Sequence, residues 1–167
     1  MARRGRTAGG RGTPATVVLE RSGCPFEIHA YPHDPRQRSF GEEAATALQV
    51  APSRVFKTLV AQTDTTLVVA VVPVASRLDL KALAATVGAK TAAMADGAAV
   101  ERSTGYVLGG ISPLGQRRRL PTVVDGSALA HATVYVSAGR RGLEVELDPH
   151  DLVALTDAVT GWVSRPG

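Results

Sequence analysis

The sequence predicts an α+β fold: a mixed, mostly antiparallel, twisted sheet with helices packed around it. Three observations carry this. Apolar runs of strand length and segments of helical spacing intermingle, without the strict strand–helix rhythm of a doubly wound fold. Several neighbouring strands are joined by turns too short for a crossover helix, which makes those pairs antiparallel. At 167 residues, 44% of them hydrophobic, the chain has the size of one domain with a substantial core.

Residues 1–12 read MARRGRTAGGRG. Arg3, Arg4, Arg6 and Arg11 stand among Gly and Ala, with too little apolar surface to order them. This segment is expected to be a disordered basic tail, with at most a weak, nonspecific attraction to RNA. It accounts for most of the formal net charge of +4, so the remainder, residues 13–167, is nearer neutral and any basic surface there is local.

Thr13 and Pro14 open the first helix, a capping hydroxyl followed by proline at the first helical position, and Gly23 ends it. Phe26, Ile28 and Ala30 alternate with Glu27, His29 and Tyr31, which reads as a half-buried strand ended by Pro32 and Pro35. Ser39 and Glu42 have the spacing of a capping box for a second helix, striped by Ala44, Ala45 and Leu48. Residues 55–61 and 67–74 form a hairpin around Asp64, and the second run is apolar throughout, as a central strand buried on both faces requires.

Leu80, Leu83, Ala84 and Val87 mark a third helix ending at Gly88, residues 91–95 a short strand, and Asp96 the cap of a fourth helix ending at Gly105. Tyr106, Val107 and Leu108 are expected to be extended, as are residues 122–124. Residues 133–137 and 143–147 form a hairpin with Glu144 and Glu146 on its polar face. Asp148 and Pro149 begin a last helix, with Leu152, Val153, Leu155, Val159 and Val163 as its core side.

Between the extended segments lies GGISPLGQRRRLP, residues 109–121. Gly109 and Gly110 let the backbone approach a ligand closely, and Ser112-Pro113 stiffens the turn. Composition alone makes this a solvated connection with a charged flank. Exposed amides beside Arg117, Arg118 and Arg119 would also suit a phosphate or nucleotide end, though composition alone favours the plain connection. Lys57, within a strand among apolar neighbours, either blunts a sheet edge or presents a cation inside a pocket. Ser112 has no base partner and reads as a loop residue offering hydrogen bonds. Glu144 becomes a pocket acid only if its strand lines a cavity.

Other chemistry finds little support. His29, His33 and Asp34 lack the helical spacing of a metal pair, and no cysteine pair completes a site, so no metal centre is expected. The single cysteine, Cys24, excludes an internal disulfide and suits a reducing cytoplasm. No apolar run approaches the ~18 residues of a membrane span. Nucleotide-loop and dinucleotide motifs are absent.

Several segments together resemble one known family: HAYPHDP (29–35), SFGEEAA (39–45), RVFKTLV (54–60), LDLKALA (78–84), RSTGYVLGGISPLGQRRRLPT (102–122) and YVSAGRRGLEVEL (135–147). They are similar to the YbaK/EbsC family of free-standing aminoacyl-tRNA editing proteins, related to the editing insertion of bacterial prolyl-tRNA synthetases. The resemblance covers nearly the whole chain from Thr13 onward.

It implies a sheet closing toward a barrel and hydrolytic clearance of mischarged tRNA, chiefly cysteinyl-tRNA(Pro), with no metal or organic cofactor. It implies that Lys57 binds the 3′-terminal adenosine region and that Gly109, Gly110, Ile111, Ser112 and Pro113 hold the ester. Tyr31 matches the family tyrosine, Arg117 and Arg118 extend the tRNA contact, and Glu144 stands where close relatives often have Asp. The implied partner is tRNA, with prolyl-tRNA synthetase as a second, and neither DNA nor a membrane. Alanyl- or seryl-tRNA substrates, or a non-catalytic module binding tRNA ends or a synthetase, remain open alternatives.

Overall fold

The structure, a computed structural model, describes residues 12–37 and 39–167, so the expected tail lies outside it except for Gly12. Helix α1 (Pro14–Ser22) is capped by Thr13, whose Oγ1 accepts the Thr16 N–H at 3.1 Å, and ends at Gly23 with φ 76°. Strand β1 (Phe26–Ala30) follows, then α2 (Phe40–Leu48). The expected capping box does not form: the Ser39 side chain makes no cap bond. Its glutamates serve the tertiary structure instead. Glu42 lines a cavity, and Glu43 accepts from His33 Nδ1 at 2.7 Å and from Asp34 N at 2.8 Å, tying the preceding loop to α2.

β2 (Phe56–Thr63) and β3 (Leu67–Pro73) make the expected hairpin, in which Thr63 Oγ1 accepts the N–H groups of Thr65 and Thr66. β4 (Ser76–Leu78), α3 (Leu80–Val87), β5 (Ala92–Met94) and α4 (Gly97–Thr104) come next, the helices capped by Asp79 and Asp96. β6 (Thr122–Asp125) leads to the hairpin of β7 (Val134–Arg140) and β8 (Leu143–Leu147). β7 runs to Arg140 through an irregularity in pairing between Ser137 and Arg140, so the turn is tighter than the sequence suggests.

Two expectations are corrected. Residues 106–108 are not a strand; Tyr106 is buried and its hydroxyl donates to Leu114 O at 2.6 Å. The last helix, α5 (Pro149–Thr156), stops where Asp157 takes a left-handed conformation, and β9 (Val159–Gly161) and β10 (Ser164–Pro166) complete the chain.

Five strands form one sheet in the order β5-β2-β3-β6-β9, three form a second in the order β1-β8-β7, and β10 pairs with β4. β2–β3 and the whole second sheet are antiparallel, whereas β3–β6 and β6–β9 are parallel. All residues of β3 are buried, as expected for a central strand. The two larger sheets touch through one parallel bridge, Val55 to Tyr135, and do not close into a barrel. Their inner faces share a core containing Phe26, Phe56, Val69, Val124, Val136, Leu143 and Val145.

Asp125, fully buried at the end of β6, anchors the C-terminal segment. Its Oδ1 accepts Val163 N at 2.9 Å, and its Oδ2 accepts Ser127 N and Oγ at 3.2 and 2.5 Å. Asp125→Ala strands these donors and is expected to lower unfolding free energy by about 2–4 kcal/mol, with Asp125→Asn costing less; urea titration checks both.

Candidate active site

Beyond the Val55–Tyr135 bridge, β2 and β7 part, and the gap between them is a cavity of about 340 Å³. One lip is Phe56, Lys57, Thr58 and Leu59, and the other is Ser137, Arg140 and Glu144. Tyr31, Phe40, Glu42 and Val74 close one end, and Leu108, Gly109 and Ile111 form a further wall. The gap exists because β5 pairs with β2 only from Ala61 to Thr63, with one further bond from Ala95 N to Val60 O. By the alternation of an antiparallel ladder, the Thr58 N–H and C=O point to the same open edge as Val60 O. Thr58 Oγ1 is buried with no hydrogen-bond partner among the described residues.

Lys57 is a pocket residue as well as an edge residue. Its Nζ donates to Ser76 O at 2.8 Å, which aims the ammonium across the end of the hairpin. Burial lowers its pKa, opposed by the carboxylate of Glu42 and assisted by Arg77. The cation is thus partly desolvated, which strengthens its hold on an incoming anion or carbonyl oxygen.

Glu144 corrects the solvent-face expectation for its hairpin. It stands opposite His29 of β1 and Ser137 of β7, and only 6% of its surface is exposed. No hydrogen bond to its carboxyl is found among the described residues, and burial pushes its pKa up to about 8. Tyr31 sits beside it, held by its backbone N–H to Gly142 O at 2.9 Å. Burial raises the Tyr31 pKa, and the nearby carboxyls of Glu144 and Glu43 raise it further.

The first part of the segment of residues 109–121 is packed, not solvated, whereas Arg117, Arg118 and Arg119 are exposed. Gly110, Ile111, Ser112, Pro113 and Leu114 are all buried. Gly109 has φ 89°, and a Cβ there would meet Arg141 Nε at 2.5 Å and Phe40 at 2.7 Å. A Cβ on Gly110 would meet the Arg140 Cα at 2.7 Å. The two glycines therefore let the loop lie directly on the β7–β8 turn. That turn reciprocates: Arg141 donates through Nε and Nη2 to Leu108 O at 3.1 and 2.5 Å, and its guanidinium sits 4.7 Å over the Phe40 ring.

The expected site residues divide accordingly. Lys57, Tyr31, Gly109, Ile111 and Glu144 line one cavity. Gly110, Ser112 and Pro113 are not on its wall and shape the loop from within. Ser112 is fully buried, with its Oγ accepting Leu114 N at 3.2 Å. Arg117 and Arg118 line, with Pro113 and Arg119, a second depression of about 270 Å³ on α1 and α5 residues. Phe40, Glu42, Arg140 and Arg141 are not among the site residues expected from the sequence; the double arginine at a hairpin tip is the one signal available.

His29 and His33 do not meet. His29 Nε2 lies 2.9 Å from Glu146 Oε1 and 3.8 Å from Glu27 Oε2, and these three could approach one cation. Glu146 is already engaged by Thr133 Oγ1 and lies 3.5 Å from Arg54. Burial alone would raise its pKa, but hydrogen bonds from Thr133, His29 and Tyr135 hold it below the ordinary value.

Residues 34–155 match the family of the aminoacyl-tRNA editing domain. The chain belongs to that family. A candidate Cys-tRNA(Pro)/Cys-tRNA(Cys) deacylase of Enterococcus faecalis, EbsC, is 36% identical over 87% of this chain and 88% of its own. A crystal structure of a candidate trans-editing enzyme for prolyl-tRNA synthetase superposes with a TM-score of 0.81 at 25% identity, covering 91% of this chain and 95% of the other. That of hypothetical protein APE2540 superposes equally well at 27% identity, over 91% and 99%. The chain is thus an aminoacyl-tRNA editing domain, a deacylase fold in which the cavity at the β2–β7 gap is the candidate active site.

Two predictions follow from this geometry. Gly110→Ala must push the loop off the β7–β8 turn and is expected to cost about 2 kcal/mol or more of stability, read by thermal unfolding. For Glu144, the folded pKa of about 8 lies above the unfolded value near 4.5, so the folded state holds the proton more tightly. Stability from this group is full below about pH 4.5 and is lost as pH rises through 8. Glu144→Gln should therefore match wild type near pH 4 and exceed it by a few kcal/mol at pH 9, measured by urea unfolding across that range.

Proposed function

We propose that this protein is a trans-editing deacylase that clears cysteinyl-tRNA(Pro), with the aminoacyl ester held in the β2–β7 cavity. The observation that carries the mechanism is the make-up of the cavity. Among the described residues its lining contains a lysine, two glutamates, a tyrosine and three small hydroxyl residues, but neither histidine nor cysteine. Among the described residues none of those hydroxyls is hydrogen-bonded to Lys57, Glu42 or Glu144, so no paired nucleophile and base stands ready, which favours an attacking group brought by the substrate.

In this reading the cysteinyl thiol attacks its own ester carbonyl. A carbon–sulfur bond forms, the bond from the carbonyl carbon to the ribose oxygen breaks, and the thiol proton ends on that oxygen. The products are free tRNA and a thiolactone. The protein supplies positioning, and an intramolecular nucleophile held near its carbonyl gains roughly 7 kcal/mol or more. Lys57 holds the 3′-terminal adenosine region, and the wall of Gly109 and Ile111 fixes the acyl group. The loop interior of Gly110, Ser112 and Pro113 keeps that wall rigid. Arg117 and Arg118 take the phosphates of the incoming strand, where neutralising a polyanion favours association. Action on tRNA supports a cytoplasmic location and, in this reading, prolyl-tRNA synthetase as the partner that supplies tRNA selectivity.

Purified protein is expected to deacylate cysteinyl-tRNA(Pro), and Lys57→Ala to lose about 10²-fold or more in kcat/KM while remaining folded by circular dichroism. Seryl-tRNA(Pro), which lacks the thiol, should be spared. Equal rates on seryl- and cysteinyl-tRNA would sink the substrate-assisted step, and a preference for alanyl-tRNA would reassign the substrate. Tight tRNA binding without turnover would point to a binding module.

A further inference from the structure

We propose that Glu144 is the receptor for the α-ammonium group of the aminoacyl substrate, an assignment that rests on the deacylase reading above. Glu144 is more than nine-tenths buried, lies on the cavity wall, and has no hydrogen-bonding partner among the described residues. A buried carboxyl in that condition is costly to keep and is ordinarily found paired. None of the nearby cations is hydrogen-bonded to it among the described residues: Lys57 on the opposite lip donates to Ser76 O, Arg141 donates to Leu108 O and covers the Phe40 ring, and Arg140 has a partner of its own. The partner that fits is therefore one that arrives with the ligand.

An aminoacyl ester brings one cation, its α-ammonium, next to the carbonyl carbon that must react. The cavity offers a complementary arrangement, with the Lys57 cation on one lip for the ribose–phosphate end and a carboxyl on the other for the amine. Backbone fixes both ends. Lys57 is held in the β2–β3 ladder opposite Val72, and Glu144 is held between His29 and Ser137 in the centre of the three-stranded sheet. Two charges on rigid strands set the rotation of the acyl group about its bond to the ribose, which decides whether a side-chain thiol reaches the carbonyl. The occupied site also resolves the free-state penalty, because the ammonium stabilises the ionised carboxylate that burial disfavours.

The test compares cysteinyl-tRNA(Pro) with 3-mercaptopropionyl-tRNA(Pro), which keeps the thiol and ester but lacks the amine. For wild type, kcat/KM is expected to fall at least tenfold on the deaminated substrate. Glu144→Gln should fall by a similar factor on cysteinyl-tRNA and leave the deaminated substrate unchanged, so the two losses do not add. Glu144→Asp should restore part of the preference. Equal loss on both substrates in Glu144→Gln, or a wild type indifferent to the amine, overturns the assignment.

The same cycle is read by calorimetry without turnover, using an unreactive amide-linked cysteinyl adenosine and its deaminated counterpart. An inactive wild type that binds the amine-bearing analogue more tightly, through Glu144, refutes the deacylase reading while sustaining the ammonium site. An active wild type with no such coupling does the reverse.

Discussion

The cavity depends on one structural constraint: β2 and β7 are joined at a single bridge and then diverge. Had β2 carried β7 alongside it beyond Tyr135, the sheets would have continued into one another and no cavity would remain. Divergence is built in at two places. β5 covers only the far end of β2, from Ala61 onward, and the pairing of β7 with β8 becomes irregular between Ser137 and Arg140. The open stretch of β2 carries backbone polar groups and Lys57 at the point where a sheet would otherwise satisfy them. An unpaired edge is usually a liability for association. Here it is flanked by the residue 109–113 loop, α2 and the β7–β8 turn, which together convert it into a walled cavity.

That covering is rigid because the loop is anchored from inside. Tyr106 takes Leu114 O, Ser112 takes Leu114 N, and Arg117 N and Arg118 N donate to Thr104 O and Ser103 O at the end of α4. Gly109 and Gly110 then meet the hairpin tip with no room for a side chain. A loop rich in glycine is commonly read as mobile, yet these glycines serve close packing. The consequence is that this wall of the cavity is shaped by the fold itself, which is what the proposed reaction, relying on proximity, requires.

Most of the fold was legible in the sequence. Caps such as Thr13 and Asp96, the left-handed glycines at 23, 88 and 105, and the all-apolar run of β3 fix local structure by short-range physics. The failures share a cause: tertiary demand overrode a local pattern. Ser39 and Glu42 have capping-box spacing, but Glu42 and Glu43 are used by the cavity and by His33. Glu144 and Glu146 alternate like a solvent face, but α2 and the loop cover that face, and Glu144 is buried. Val159 and Val163 continue the period of α5, but Asp157 breaks the helix and Asp125 captures Val163 N. Of the candidate site, Lys57, Tyr31 and Gly109 were recognisable. Phe40, Arg140 and Arg141 were not, because their role exists only once the hairpin tip meets the loop.

Glu144 shows how the site and the fold are in tension. A buried, unpaired carboxyl opposes folding at every pH where it would ionise, and a glutamine of the same shape would remove that cost. Its neighbour Glu146, on the same face of the same strand, shows what a structural carboxylate looks like here. It is engaged by His29 and Thr133 with Arg54 close by, and its pKa lies below the ordinary value. Two glutamates separated by one residue thus have opposite environments. The satisfied one fastens β1, β8 and the segment before β7 together, and the unsatisfied one lies on the wall of the candidate active site. Destabilising features concentrate at sites that use them, so the contrast between Glu146 and Glu144 separates scaffold from site within a single five-residue strand.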